Sequence, residues 1–246
     1  MNKIFYFILL FIILLLSNDL FGYKENNTNI TFIHIPKNAG TTIEHTGYKN
    51  GYIWGKYSFY NYSIIFYLDE IMSKCKFDYR VIPRFIKNLI FNICNNKLTH
   101  HIPKYIKNNI NTKKNKISFM VVRNPYTKII SCFKFLKNEK DINVFVKKHI
   151  NMYKNKNKFV DYVLFIPQHE YLLNNTEVLK FENLQEDFYN FCKKHNLKKM
   201  TLQKINVSSN KYNVDIKKLN NESITLINEI YSKDFELFGY KKINPN

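Results

Sequence analysis

Three short runs rich in β-branched and aromatic residues constrain this chain more than any other feature. They are "NITFIHI" at 29–35, "ISFMVVR" at 117–123 and "TEVLKFENL" at 176–184. The first two read as buried strands and the third as a strand, and each leads into a stretch of helical character. "PKNAGTTIEH" turns into a helix at about Thr41, where Thr41 and Glu44 form a T-x-x-E capping box. "NPYTKIISCFKFLK" places Pro125 in a first helical turn and repeats Ile129, Ile130, Phe133 and Leu136 at helical spacing. "QEDFYNFCKKHNL" reads as an amphipathic helix, and "DYVLFIPQHEYLL" ends in a short one. A basic and polar stretch at 198–220 precedes a last helix and "DFELFGY". Residues 57–98 are expected to be helical in parts, with Pro83 as a break. Strands alternating with helices predict an α/β fold with a largely parallel sheet. There is no repeat and no long linker, and a chain of 246 residues suits one domain, expected over 24–246.

Residues 4–16, "IFYFILLFIILLL", are unbroken apolar sequence preceded by Lys3. The run fits the apolar region of a secretory signal. Counted on through Phe21 and Tyr23, it fits an uncleaved anchor with Lys3 on the cytosolic side. Both readings send residues from 24 onward into the secretory pathway, to the ER or Golgi lumen, either held on the membrane or secreted after cleavage. Sequons at Asn26, Asn29, Asn61, Asn174, Asn206 and Asn221 agree with that location. Cys75, Cys94, Cys132 and Cys192 show no C-x-x-C spacing, which disfavours a zinc site. Disulfides and buried free thiols both remain open. The chain carries 38 basic against 19 acidic residues, a net +19. Such a balance favours anionic partners, although the spread of lysine and asparagine through the whole chain makes much of it ordinary solvated surface. A secretory segment argues against nucleic acid as the partner.

Only six glycines occur in the chain, and Gly40, Gly47, Gly51 and Gly55 fall within sixteen residues. That clustering asks for close backbone approach to a ligand or for tight turns. The loop Lys37-Asn38-Ala39-Gly40 joins a strand to a helix start, where free amides and the helix dipole attract an anion. Thr41 and Thr42 add hydroxyls, and Lys37 adds a cation on a turn stiffened by Pro36. This is not a Walker A loop, in which lysine follows the last glycine. A second anion site is expected where Arg123 closes a strand and Ser131 lies in the following helix. Two anion sites at two strand ends suit a ligand with two separated phosphates, since α/β folds bind ligands at the carboxyl ends of strands.

In combination and in this order, "FIHIPKNAGTT" resembles the 5'-phosphosulfate loop, and "VVRNPYTKIIS" the 3'-phosphate motif, of the membrane-associated, Golgi-type carbohydrate sulfotransferases. Weaker likeness extends to "PQHEYL", "VLKFENLQEDF" and "YSKDFELFGY", covering most of the chain from residue 30. The resemblance implies a P-loop-like three-layer fold with a central, largely parallel sheet flanked by helices. It implies transfer of a sulfuryl group from 3'-phosphoadenosine 5'-phosphosulfate to a carbohydrate hydroxyl. Lys37 would contact the 5'-phosphosulfate and its bridging oxygen, with Asn38, Ala39, Gly40, Thr41 and Thr42 holding the 5' group. Arg123 and Ser131 would hold the 3'-phosphate. Asn38 stands where threonine is common in the family, Lys128 where arginine is, and Phe133 where tyrosine is.

Sulfuryl transfer needs in-line geometry and a neutralised leaving charge. Lys37 supplies the cation, so no metal is required. A general base for the acceptor is expected at His100 or His101, the H-x-x-x-K spacing from His100 to Lys104 fitting the family pattern somewhat better. Glu44 is a rival base already explained by its cap, and His34 is expected to be packed. His169 and Glu170 after Pro167 are placed to face the acceptor, and Asn206 and Ser208 to close over the donor. Trp54 and the tyrosines of 48–62 either stack on sugar rings or belong to the core. Sulfation of a tyrosine or small molecule, and a non-catalytic secreted basic protein that binds glycans, are the alternatives.

Overall fold

A computed structural model of the chain describes residues 29–52, 54, 103, 117–136, 139–154, 162–203 and 214–245. Strand β1 (Ile30–Ile33) leads into helix α1 (Gly40–Lys49). Strand β2 (Ile117–Val122) leads into α2 (Pro125–Leu136) and α3 (Ile142–Lys154). A short α4 (Tyr162–Phe165) and a 3-10 turn (Gln168–Tyr171) precede β3 (Thr176–Lys180). Helices α5 (Leu184–Lys194), α6 (Asn221–Ile230) and α7 (Ser232–Leu237) complete the order.

The strands form a parallel sheet in the order β1-β2-β3. Ile33 lies opposite Met120, and Val122 opposite Lys180, so all three carboxyl ends open on one edge. The α/β class with a parallel sheet flanked by helices is therefore what the sequence predicts. The central strand shows why. Phe119, Met120, Val121 and Val122 are all fully buried, as expected of a parallel strand covered on both faces. Phe119 and Val121 pack with Ile43 of α1 and Phe188 and Phe191 of α5. Met120 and Val122 face the other way, toward Val163, Ile166 and Tyr171. A third apolar cluster joins α2, α3, α6 and α7. Each fully buried Phe or Val contributes about 1.5–3 kcal/mol.

Several expectations need correction. The first strand stops at Ile33 and the third at Lys180, where Phe181–Asn183 wind into a 3-10 turn. Helix α1 starts at Gly40 without a Thr41–Glu44 capping box. Ala39 occupies the cap position in a left-handed conformation, and no side chain caps the helix. Helix α3 was not foreseen, although Ile142, Phe145, Val146 and Ile150 recur at helical spacing and are buried. The last helix is two, with a break at Tyr231.

Trp54 is core. It packs edge-on against Phe119 at 5.4 Å and Phe188 at 5.9 Å. A Cβ on Gly47 would come within 2.7 Å of its ring, so this glycine makes room for the indole. Gly51, at φ 81, serves a tight turn, as the clustering of glycines suggests. Cys132 and Cys192 are free buried thiols, while Cys75 and Cys94 lie outside the described residues. Among the described residues no helix is long and apolar enough to cross a membrane; the apolar run at 4–16, Pro83 and the 57–98 stretch lie outside them.

Candidate functional site

The loop after β1 is held in an uncommon shape. Lys37 at φ 68 and Ala39 at φ 60 both adopt positive φ without being glycine, a conformation that costs about 1–2 kcal/mol per residue. Asn38, between them, is buried to 1 % exposure and fastens the turn. Its Nδ2 donates to the Val121 carbonyl at 2.8 Å and to Gln168 Oε1 at 2.6 Å. Its own amide donates to Ile35 O at 3.3 Å. The loop is thereby locked over the carboxyl end of the central strand, with the free amides of α1 following it. Such turns gather backbone N–H groups into an anion-binding concavity.

Gly40 makes room for a neighbouring side chain. An ideal Cβ there would lie 2.1 Å from His34 Nε2, so the missing side chain is filled by the imidazole. His34 Nδ1 in turn meets Glu44 Oε1 at 3.0 Å. This pairing, and not a cap, accounts for Glu44. Gly40→Ala should therefore lower stability by about 1–3 kcal/mol through overpacking. The melting temperature of the double variant Gly40→Ala/His34→Ala should recover most of that loss. Equal melting temperatures for wild type and Gly40→Ala would refute this account of the glycine.

The second loop starts where β2 ends. Arg123 Nε donates to Thr127 Oγ1 at 3.0 Å, and its Nη1 donates to the Lys37 carbonyl at 3.2 Å. The two predicted anion loops are thus in direct contact. The guanidinium lies over the Phe181 ring at 4.0 Å. Asn124 opens α2, its Oδ1 accepting the Tyr126 amide at 3.0 Å. Glu182 Oε1 accepts the Asn124 amide at 2.9 Å, which ties the end of β3 to this loop. Glu182 Oε2 accepts from Tyr240, whose phenol is pushed up by burial and by that carboxylate.

Thr127 was not singled out from the sequence, yet it, and not Ser131, touches Arg123. Ser131 lies four residues further along α2, on the same face. Its hydroxyl, and that of Thr41, makes no hydrogen bond among the described residues. Lys37 Nζ sits 3.9 Å above the exposed ring of Phe135. Burial lowers the pKa of Lys37, and the neighbouring Arg123 charge pushes the same way. Burial also lowers that of Arg123, partly offset by Glu182. Among the described residues neither cation has a carboxylate within salt-bridge distance. Two partly desolvated cations on adjoining loops, neither in a salt bridge among the described residues, form a site that an anion would stabilise.

Behind the loops lies a polar hub. Gln168 is fully buried, as is Asp234 of α7. Asp234 accepts from the amides of Gln168 and His169, each at 2.8 Å, and pairs with His169 Nδ1 at 2.7 Å. Asp234 thereby holds His169 through Nδ1, and Glu170 Oε1 accepts from Tyr153 OH at 2.7 Å. Lys128 is buried on α2, donating to Ile166 O at 2.8 Å, and burial lowers its pKa. The sequence signal for this hub was a glutamine and an aspartate set among apolar residues, in "FIPQHEY" and "SKDFELF". His100, His101, Lys104, Asn206 and Ser208 lie outside the described residues.

A family model described as the sulfotransferase family matches residues 23–241 of this sequence. The match spans nearly the whole chain, which therefore belongs to the sulfotransferase family. No curated protein and no solved structure matches it.

Proposed function

We propose that this sulfotransferase uses 3'-phosphoadenosine 5'-phosphosulfate as donor and a carbohydrate hydroxyl as acceptor, in the lumen of the secretory pathway. The observation that carries the donor reading is the pair of partly desolvated cations, Lys37 and Arg123, on loops joined through the 3.2 Å bond from Arg123 to the Lys37 carbonyl. Their placement on the loops after two adjacent parallel strands suits one ligand with two phosphate-type groups. The donor, when bound, supplies the sulfuryl group. Lys37 binds the 5' end and neutralises charge on the departing oxygen. Arg123 and the Ser131 hydroxyl bind the 3'-phosphate, with Thr127 fixing the guanidinium. Gly40, Thr41 and Thr42 offer amides and hydroxyls to the 5' group. Asn38 acts by shaping the loop, because its side-chain amide and its backbone N–H both donate inside the protein. His100 or His101 takes the acceptor proton. The lumenal setting and membrane association rest on the apolar segment within residues 1–23.

Transfer of labelled sulfate from the donor to a panel of glycans, tyrosine peptides and small phenols tests this reading. Labelled glycan is the expected product. Label in tyrosine peptide alone would replace the acceptor class, and no transfer to any acceptor would remove the donor assignment. The same assay has an expected pH dependence. An ordinary lysine loses its charge near 10.5, and burial moves Lys37 below that value. Donor affinity should be full below the lowered pKa and decline as pH rises through it. In Lys37→Arg the guanidinium stays charged, so the alkaline decline should move upward. An unmoved decline would assign it to another group.

A further inference from the structure

We infer that Gln168 is a positioning residue that holds the two anion-binding loops at a fixed separation, so that a ligand with two phosphate-type groups is bound as one unit. Its amide has four hydrogen-bonding positions, and all four are used. Oε1 accepts from Asn38 Nδ2 of the first loop at 2.6 Å and from the Arg123 amide of the second at 2.8 Å. Nε2 donates to the Arg123 carbonyl at 2.8 Å and to Asp234 Oδ2 at 3.2 Å. This donor and acceptor arrangement fixes which way the amide points. The exchange of two bonds with Arg123 imitates a rung of sheet pairing just beyond the end of β2. One oxygen atom therefore joins both loops, and Asp234 Oδ2 anchors Gln168 from behind, accepting from its backbone amide at 2.8 Å as well as from its Nε2.

The consequence is energetic. A ligand that already touches one loop reaches the second at an effective concentration set by how rigidly the loops are spaced. Loosening the tether leaves each anion contact available but removes the gain from making both. The inference rests on the donor reading above and adds to it the device that lets the site measure the distance between two phosphates.

The test compares three probes on the full chain: adenosine 5'-phosphate, adenosine 3'-phosphate and 3'-phosphoadenosine 5'-phosphate. Gln168→Met should weaken the bisphosphate by about tenfold or more while each monophosphate changes less than about threefold. A merely structural role would weaken all three alike. Asn38→Ala removes the tether to the first loop together with the bond to the Val121 carbonyl and should give the same selective loss, which covers the case in which Gln168→Met does not fold. Equal weakening of the three probes, or no change in either variant, overturns the inference. If the wild type binds the bisphosphate and the variants keep its advantage, the coupling alone fails. If the wild type binds none of the probes, the donor reading fails with it.

Discussion

Arg123→Ala is expected to lower the affinity for 3'-phosphoadenosine 5'-phosphate by about thirtyfold to several thousandfold, corresponding to about 2–5 kcal/mol for removing one partner of a desolvated charge pair. The sign differs between the free and bound states. In the free protein Arg123 is a half-buried cation with no carboxylate in salt-bridge distance among the described residues, so its removal also relieves a desolvation cost. The hydrogen bonds to Thr127 and to the Lys37 carbonyl are lost, which offsets that relief. The melting temperature of the free variant should therefore move by no more than about 4 °C, the equivalent of about 1 kcal/mol in a domain of this size. Isothermal titration together with thermal denaturation separates the two effects. A large fall in stability with unchanged affinity would assign Arg123 to the fold.

Asp234→Ala should do the reverse, with its largest effect on the fold. The carboxylate is fully buried and accepts from two backbone amides, the Gln168 side chain and His169. Removing it strands those donors in the interior and takes away a negative charge near the buried Lys128. Breaking a buried charged network in this way costs about 3–5 kcal/mol, a large part of a domain stability of about 5–15 kcal/mol. Equilibrium urea denaturation should show a lower midpoint for Asp234→Ala and a smaller loss for Asp234→Asn, which keeps one acceptor oxygen. A loss below about 1 kcal/mol for the alanine variant would mean that the hub is dispensable.

What the sequence made legible follows from local physics. The strands were readable because β2 is apolar on both faces, and α2 because Pro125 and the spacing of Ile129, Ile130 and Phe133 are local signals. Arg123 could be named because it directly follows β2, and Lys37 because it lies in the loop between β1 and a helix start. The capping box was misread because Thr41 and Glu44 have the right spacing, whereas the cap geometry is set by Ala39 and Glu44 is claimed by His34, ten residues away. The packing of His34 against Gly40 and of Trp54 against Gly47 is a tertiary relation that the clustering of glycines does not report. Thr127, Gln168 and Asp234 act through contacts made by the tertiary fold. The Gln168–Asp234 pair is separated by 66 residues, a relation no local pattern can report.

The measurement that tests the central claim most directly is calorimetric titration of the wild-type chain with 3'-phosphoadenosine 5'-phosphate, with ATP as the control. Two anion sites on adjoining strand ends predict clear preference for the bisphosphate, because ATP carries no 3'-phosphate for Arg123. Equal affinity for the two nucleotides, or no binding by folded protein, would contradict the assignment of Lys37 and Arg123 to a two-phosphate donor.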